Sequence, residues 1–269
     1  MSAATVVIDG ARRRRPLLVD AVTDTLTIAQ RNLITLRRVP QLLVFSTIQP
    51  VIFVLLFRYV FGGAIRVPGE DYVDFLMPGV FAQTVAFGAM NTAIGLATDV
   101  NTGLIERFRS LPMARSAVLT GRTLADAVRN VLVVTLMVAV GFLVGFRVGT
   151  NVFGLLAAMG LLVLFGFALS WVFAAVGLAV GDPETAQAAA FPVMAPLVFA
   201  SSAFVPVESM PGWLQAWARN QPLSAVVDGA RALMLGGPTA GEVAQAVAWC
   251  VGIVAVAAPF AVRVYRRTV

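Results

Sequence analysis

The chain has 269 residues, of which 59% are hydrophobic and only 13% charged, whereas soluble domains carry about 25% charged residues. All 20 basic residues are arginine, there is no histidine, and the net charge of +6 reads as arginine beside anionic lipid rather than as nucleic-acid binding. Without lysine or histidine there is no P-loop lysine, Schiff base, imidazole base or histidine metal site, so P-loop ATP hydrolysis and most enzyme mechanisms are excluded.

Residues 1–16 hold Arg12-Arg13-Arg14-Arg15 before Pro16 with no apolar stretch behind them, which reads as a basic tail and not a cleavable signal. From about Val19 to Arg38, Val22, Leu26, Ala29, Leu33 and Leu36 recur at alternating steps of four and three. This predicts an amphipathic helix with Arg31 and Arg38 off the apolar face. It lies either in the headgroup plane or against protein.

Six apolar runs of about 20 residues are expected to span a bilayer: Leu42–Gly62, Phe75–Thr98, Leu124–Phe146, Val152–Val180, Ala186–Val205 and Val243–Val262. The predicted fold is therefore all-α and integral to the membrane. Seven arginines precede the first span, five fall between Arg107 and Arg129 and three follow the last, against five elsewhere. That bias puts both termini in the cytoplasm. Arg58 near the outer end of the first span either snorkels or meets a substrate. The loop with Arg66, Glu70, Asp71 and Asp74 is expected to be a solvated patch.

Between spans two and three, Asp99 to Arg122 forms a polar island. A short helix from Thr102 to Leu111 is expected, stopped by Pro112. It is either a handle for a soluble partner or a solvated loop that only sets orientation. Asp182 and Pro183 make an N-cap and first helical position, and Pro192 and Pro196 should kink the fifth span.

From Pro206 to Pro238 two short helices are predicted, broken at Asn220-Gln221-Pro222, with Trp213 and Trp217 one turn apart as interfacial anchors. This outer, re-entrant hairpin, with Pro222, Asp228 and Arg231, either gates or caps the bundle. The Asp228-Gly229-Ala230-Arg231 run lacks the spacing and further aspartates of a phosphatidyl-transferase motif. Cys250 reads as a small buried hydrophobe.

Taken in order, the basic interfacial helix, the six spans, the Glu106-Arg107-Phe108-Arg109-Ser110-Leu111-Pro112 loop and the Pro206-Val207-Glu208-Ser209-Met210-Pro211-Gly212-Trp213 to Asn220-Gln221-Pro222-Leu223 segment resemble type-2 ABC transporter permeases of the daunorubicin-resistance type. The resemblance covers about residues 20 to 265. It implies a cytoplasmic tail and connecting helix over 1–41 and a six-span permease domain over 42–269. It also implies a second permease subunit, identical or a sister chain, and separate ATPase subunits that carry ATP and magnesium, no cofactor being held here.

By position, Gly103, Leu104, Glu106, Arg107, Phe108 and Arg109 match the family's coupling helix, which seats in the ATPase. Leu26, Arg31, Leu33 and Arg38 lie on its connecting helix, and Val207–Leu235 is its outer hairpin, with Gln221 where many members carry other polar residues. The function implied is export of a hydrophobic or amphipathic compound along the permease dimer interface. A permease for a glycan or lipid-linked polymer, a stand-alone secondary transporter and a membrane enzyme are the competing readings, in that order.

Overall fold

Ten α-helices and no strand make up the regular structure over residues 17–38, 41–62, 71–109 and 115–268, which the computed structural model describes. They are α1 (Leu17–Arg38), α2 (Gln41–Leu56), α3 (Tyr72–Asn101), α4 (Leu104–Arg109), α5 (Arg115–Val144), α6 (Val152–Val180), α7 (Pro183–Phe199), α8 (Gly212–Asn220), α9 (Pro222–Leu235) and α10 (Thr239–Thr268). The tail at Arg12–Arg15, the loop residues Arg66 and Glu70, and Leu111 and Pro112 lie outside the described residues.

Among the described residues four helices, α3, α5, α6 and α10, are long and apolar enough to cross a membrane. Their 29 or 30 residues reach about 45 Å at 1.5 Å per residue. The two other predicted spans are shorter α-helices. α2 has 16 residues and runs on into a π-helical turn, Phe57–Phe61, while α7 has 17 and ends at Phe199.

α3 is the axis of the bundle. In its most apolar stretch 72% of residues are buried, against 17% in α10. Ala82, Ala86, Ala89, Ala93 and Ala97 recur along it at steps of three and four and are all fully buried. α6 answers with Gly166, Ser170, Ala174 and Gly177 at the same spacing. A Cβ on Gly177 would collide with the Ala93 carbonyl, and one on Gly166 with Val85 and Asn130. Lipid supplies no hydrophobic force between helices, so small side chains that let backbones approach are what holds such a pair. At the other end of α3, Gly79 is similarly closed by the Ala203 carbonyl.

α7 turns one face to the core, Ala186, Ala190, Met194 and Val198 at exact four-residue steps, and leaves Phe191, Val193 and Phe199 exposed. Its start is capped as the sequence predicts: the Asp182 carboxylate accepts from the Thr185 hydroxyl at 2.6 Å and the Thr185 amide at 2.8 Å. Those hydrogen bonds hold the Asp182 carboxyl below the usual carboxylate range. Near its far end an aromatic stack joins α7 to α2: Phe57 lies on Phe204 at 4.7 Å, with Phe53 and Phe199 beside them.

α1 packs along α5, and the predicted apolar face divides in two. Ile28 and Ala29 are buried, whereas Val22 and Leu26 are more than half exposed. The reason is Gly121 on α5, whose missing side chain admits Ile28 and the Thr25 carbonyl, a Cβ there standing 2.6 Å from that oxygen. The helix thus turns its Thr25–Ile28 edge to protein and leaves its Val22–Leu26 edge bare. Asp74 and Arg58 both meet the chain just after α5. Asp74 accepts the Arg147 backbone amide at 2.9 Å, and the Arg58 guanidinium lies against Gly145 and 5.4 Å from the Tyr59 ring centre.

Cys250 is fully buried on α10 and is the only cysteine, so its reactivity reports loss of the fold. Replacing Gly177 with leucine should force α3 and α6 apart and cost about 1–3 kcal/mol. A thiol-reactive dye in a thermal ramp should label Cys250 at a clearly lower temperature in that variant than in the wild type.

Candidate coupling foot and the charged clasp behind it

α3 ends in a tight turn that re-aims the chain into α4. The Thr102 hydroxyl and amide both donate to the Thr98 carbonyl, at 2.8 and 3.0 Å, and the Gly103 amide donates to Val100. Gly103 has φ +68 with open space where a Cβ would stand, so backbone conformation alone calls for glycine. Ile105 is 2% exposed and joins a cluster with Leu96, Leu119, Trp171, Leu178 and Tyr265. It seats the short helix on the bundle. Leu104 is half-buried beside it, while Glu106 and Arg107 face outward. The side chains of Arg38, Phe108 and Arg109 lie outside the described residues. Ile105, the residue that does the anchoring, was not among those singled out from the sequence, although it follows Leu104 directly in the motif.

Behind the foot, α3 and α5 run antiparallel with polar groups in matching register. Gly88, Thr92, Gly95 and Asp99 share one face of α3 at steps of four, three and four; Arg122, Asp126 and Arg129 share one face of α5 at steps of four and three. Arg122 Nη1 meets Asp99 Oδ2 at 2.7 Å, its guanidinium filling the space a Cβ on Gly95 would need. The Thr92 hydroxyl donates to Asp126 Oδ2 at 2.6 Å. Arg129 donates to the Gly88 carbonyl and stands 3.7 Å from Asp126 Oδ1. From α1, Arg31 reaches Asp99 Oδ1 at 3.8 Å. One carboxylate therefore joins α1, α3 and α5 two residues before α3 ends. A cleft of about 440 Å³ opens between these three helices.

The opposite end of the bundle has its own clasp. The Arg231 guanidinium donates to the Phe75 carbonyl at 3.1 Å, the Ser202 carbonyl at 3.0 Å and Asp228 Oδ1 at 2.8 Å, and its carbon lies 3.8 Å over the Phe75 ring. Asp228 also accepts from the Ser202 hydroxyl. Gln221 gives its amide to the Leu197 and Ala200 carbonyls, both at 3.0 Å, closing the frayed end of α7. Pro222 occupies the first turn of α9, which is buried on nearly all sides. α8 is the reverse: only Ala218 is buried, and Trp213 and Trp217 are 76% and 52% exposed. Of the residues expected to form one hairpin site, Asp228 and Arg231 are thus internal fastenings, and the tryptophans belong to the surface.

Residues 23–235, from α1 to the end of α9, match the family model described as ABC-2 type transporter. The chain belongs to the ABC-2 type transporter family. It is 39% identical over 255 residues, 94% of this chain and 89% of the relative, to a daunorubicin resistance ABC transporter permease protein of Streptomyces coeruleorubidus. It is 28% identical to a probable doxorubicin resistance ABC transporter permease protein of Mycobacterium tuberculosis, covering 82% of this chain and 80% of the relative. A putative transport permease of Porphyra purpurea is 25% identical over 79% of this chain and 74% of the relative. An ABC-2 permease with these apolar helices is a multi-pass membrane subunit. Among the described residues no group of three metal-ligating side chains comes together.

In this permease Arg231→Ala should remove three anchors at once and leave Asp228 only the Ser202 hydroxyl, lowering stability by about 2–3 kcal/mol. Arg231→Lys should recover little, because an ammonium cannot span the fork. Cys250 labelling on heating checks both.

Proposed function

We propose that this permease is the membrane half of an ATP-driven exporter that moves a hydrophobic or amphipathic compound, a drug, antibiotic or lipid-like molecule, out of the cell. The observation that carries this is the 39% identity over nearly the whole chain to a permease named for daunorubicin resistance. On this reading α2 with its π turn, α3, α5, α6, α7 and α10 are the six spans, α2 and α7 being the shorter two. Both termini then face the cytoplasm; α4, the start of α5 and the Tyr265 end of α10 share one end of the bundle, which favours that arrangement.

The work comes from outside the chain. A separate ATPase binds ATP and magnesium, and its closure moves α4 as a coupling helix, with Gly103 as the bend, Ile105 and Leu104 holding the bundle, and Glu106, Arg107, Phe108 and Arg109 presented to the ATPase cleft. Charge-assisted hydrogen bonds accepted by Glu106 and donated by Arg107 give that seat its specificity. α1 is the connecting helix, with Leu26 toward the headgroups, Leu33 toward α5, Arg31 on Asp99, and Arg38 at its end. A second permease, the same chain or a sister, completes the pathway, and two packings of the pair exchange access to the two sides. α8 and α9 cap the outer side, held by Asp228 and Arg231, with Trp213 and Trp217 at the lipid surface.

Glu106→Ala and Arg107→Ala should each leave the permease inserted, with Cys250 protected, but lower ATP-driven transport in vesicles about tenfold through lost ATPase docking. Undiminished transport in both refutes the coupling assignment. The permease expressed without an ATPase should move nothing; efflux by the lone chain would instead establish a secondary transporter.

A further inference from the structure

Beside the charged ladder lies a second cavity, of about 540 Å³, bounded by α3 and α5 and rimmed by Gln49 of α2 and Gln187 of α7. Its walls combine apolar side chains, Phe87, Met90 and Ile94, with Arg122, Asp126 and Arg129, the exposed Asn91, and two buried carboxamides, Gln83 and Asn130. Both carboxamides are 1% exposed. Gln83 Oε1 and Asn130 Nδ2 have no hydrogen-bond partner among the described residues. The charged groups of the same wall each have a partner, Arg122 in Asp99, Asp126 in Thr92 and Arg129 in the Gly88 carbonyl, although Arg122 Nε is left without one among the described residues. The contrast is specific. Asp126 and Arg129 are each engaged by the protein, whereas Gln83 and Asn130 each keep an unanswered polar atom.

A buried amide without a partner costs free energy that a fold would ordinarily remove with an apolar residue of the same shape. Asn130 is held in place by shape, wedged between Gly88 and Gly166. We propose that Gln83 and Asn130 are a binding site for the uncharged, hydroxyl-bearing part of an amphipathic cargo, whose apolar body lies against Phe87, Met90 and Ile94. A hydroxyl both donates and accepts, so one such group serves the free oxygen of Gln83 and the free N–H of Asn130. This rests on the exporter reading only for the word cargo; the site itself is tested by binding.

The test uses the permease with its ATPase partner in lipid nanodiscs and two probes. Daunorubicin carries hydroxyls and is followed by its fluorescence; tetraphenylphosphonium has no hydrogen-bonding group and is followed by dialysis. Gln83→Met and Asn130→Leu keep side-chain volume and delete the polar atoms. Each should weaken daunorubicin binding about three- to tenfold, leave tetraphenylphosphonium unchanged, and leave the temperature of Cys250 labelling unchanged or higher. Equal daunorubicin affinity in wild type and variants, parallel weakening of both probes, or no daunorubicin binding by the wild type overturns the site. Binding that follows the prediction without any ATP-driven movement of daunorubicin leaves the site standing and removes the exporter reading.

Discussion

Everything in this bundle is referred to the close approach of α3 and α6. Two apolar helices in lipid gain little from excluding hydrocarbon that is as apolar as themselves, so their association depends on backbone proximity and on polar pairs. The alanine row from Ala82 to Ala97 and the Gly166–Gly177 row supply the first, with the Ala93 carbonyl directly over Gly177. α3 thereby becomes fixed along its length on one side. Its other side is then available for polar work, and Gly88, Thr92, Gly95 and Asp99 occupy it.

The two clasps at the ends of α3 obey the same physics with opposite consequences. Each pairs an arginine with a carboxylate, which lowers the cost of a lone charge in a low-dielectric interior, and Arg231 satisfies two carbonyls as well. At the Phe75 end, Arg231 ties α9 to the beginning of α3 and to the chain after α7, all within one rigid corner. At the Asp99 end the fork joins helices that also meet the foot: Asp99 precedes the Thr102–Gly103 bend, and Arg31 belongs to the helix that leads in from the N-terminus. On the proposed reading, a push on α4 therefore reaches α1 and α5 through one carboxylate and reaches α6 through backbone contact.

Much of this was legible in the chain. Hydropathy located the helices, Asp182-Pro183 marked the start of α7, and Gln221-Pro222 marked the break between α8 and α9, because caps and prolines act through local backbone chemistry. The structure extends α5 back to Arg115, nine residues before the apolar run that announced it, since a helix continues through its polar end as long as that end finds partners. What periodicity could not supply was pairing. Val22 and Leu26 look equivalent to Ala29 by spacing, yet only Ala29 is covered, and Gly121 on another helix decides it. Likewise Arg129 counted only as an inner-side charge, and Asp126 was not singled out, until α3 was laid against α5. Their steps of four and three, matched by Gly88, Thr92 and Asp99, were the one signal in the sequence that the charges were a face and not a loop.

The same distinction separates structure from recognition in an apolar wall. A hydrophobic pathway carries no readable code in its aliphatic surface, so specificity must come from its few polar groups. Polar groups in such a wall serve either the protein or something that visits it, and hydrogen-bond bookkeeping tells which. Thr84, Ser170 and Thr123 return their hydroxyls to carbonyls of their own helices and are thereby silenced. Asp126 and Arg129 engage one another, a threonine hydroxyl and a neighbouring carbonyl. Gln83 and Asn130, equally buried and one helix apart, do neither. A residue that is held tightly by shape and left unanswered by chemistry is where a membrane protein has kept a polar contact in reserve.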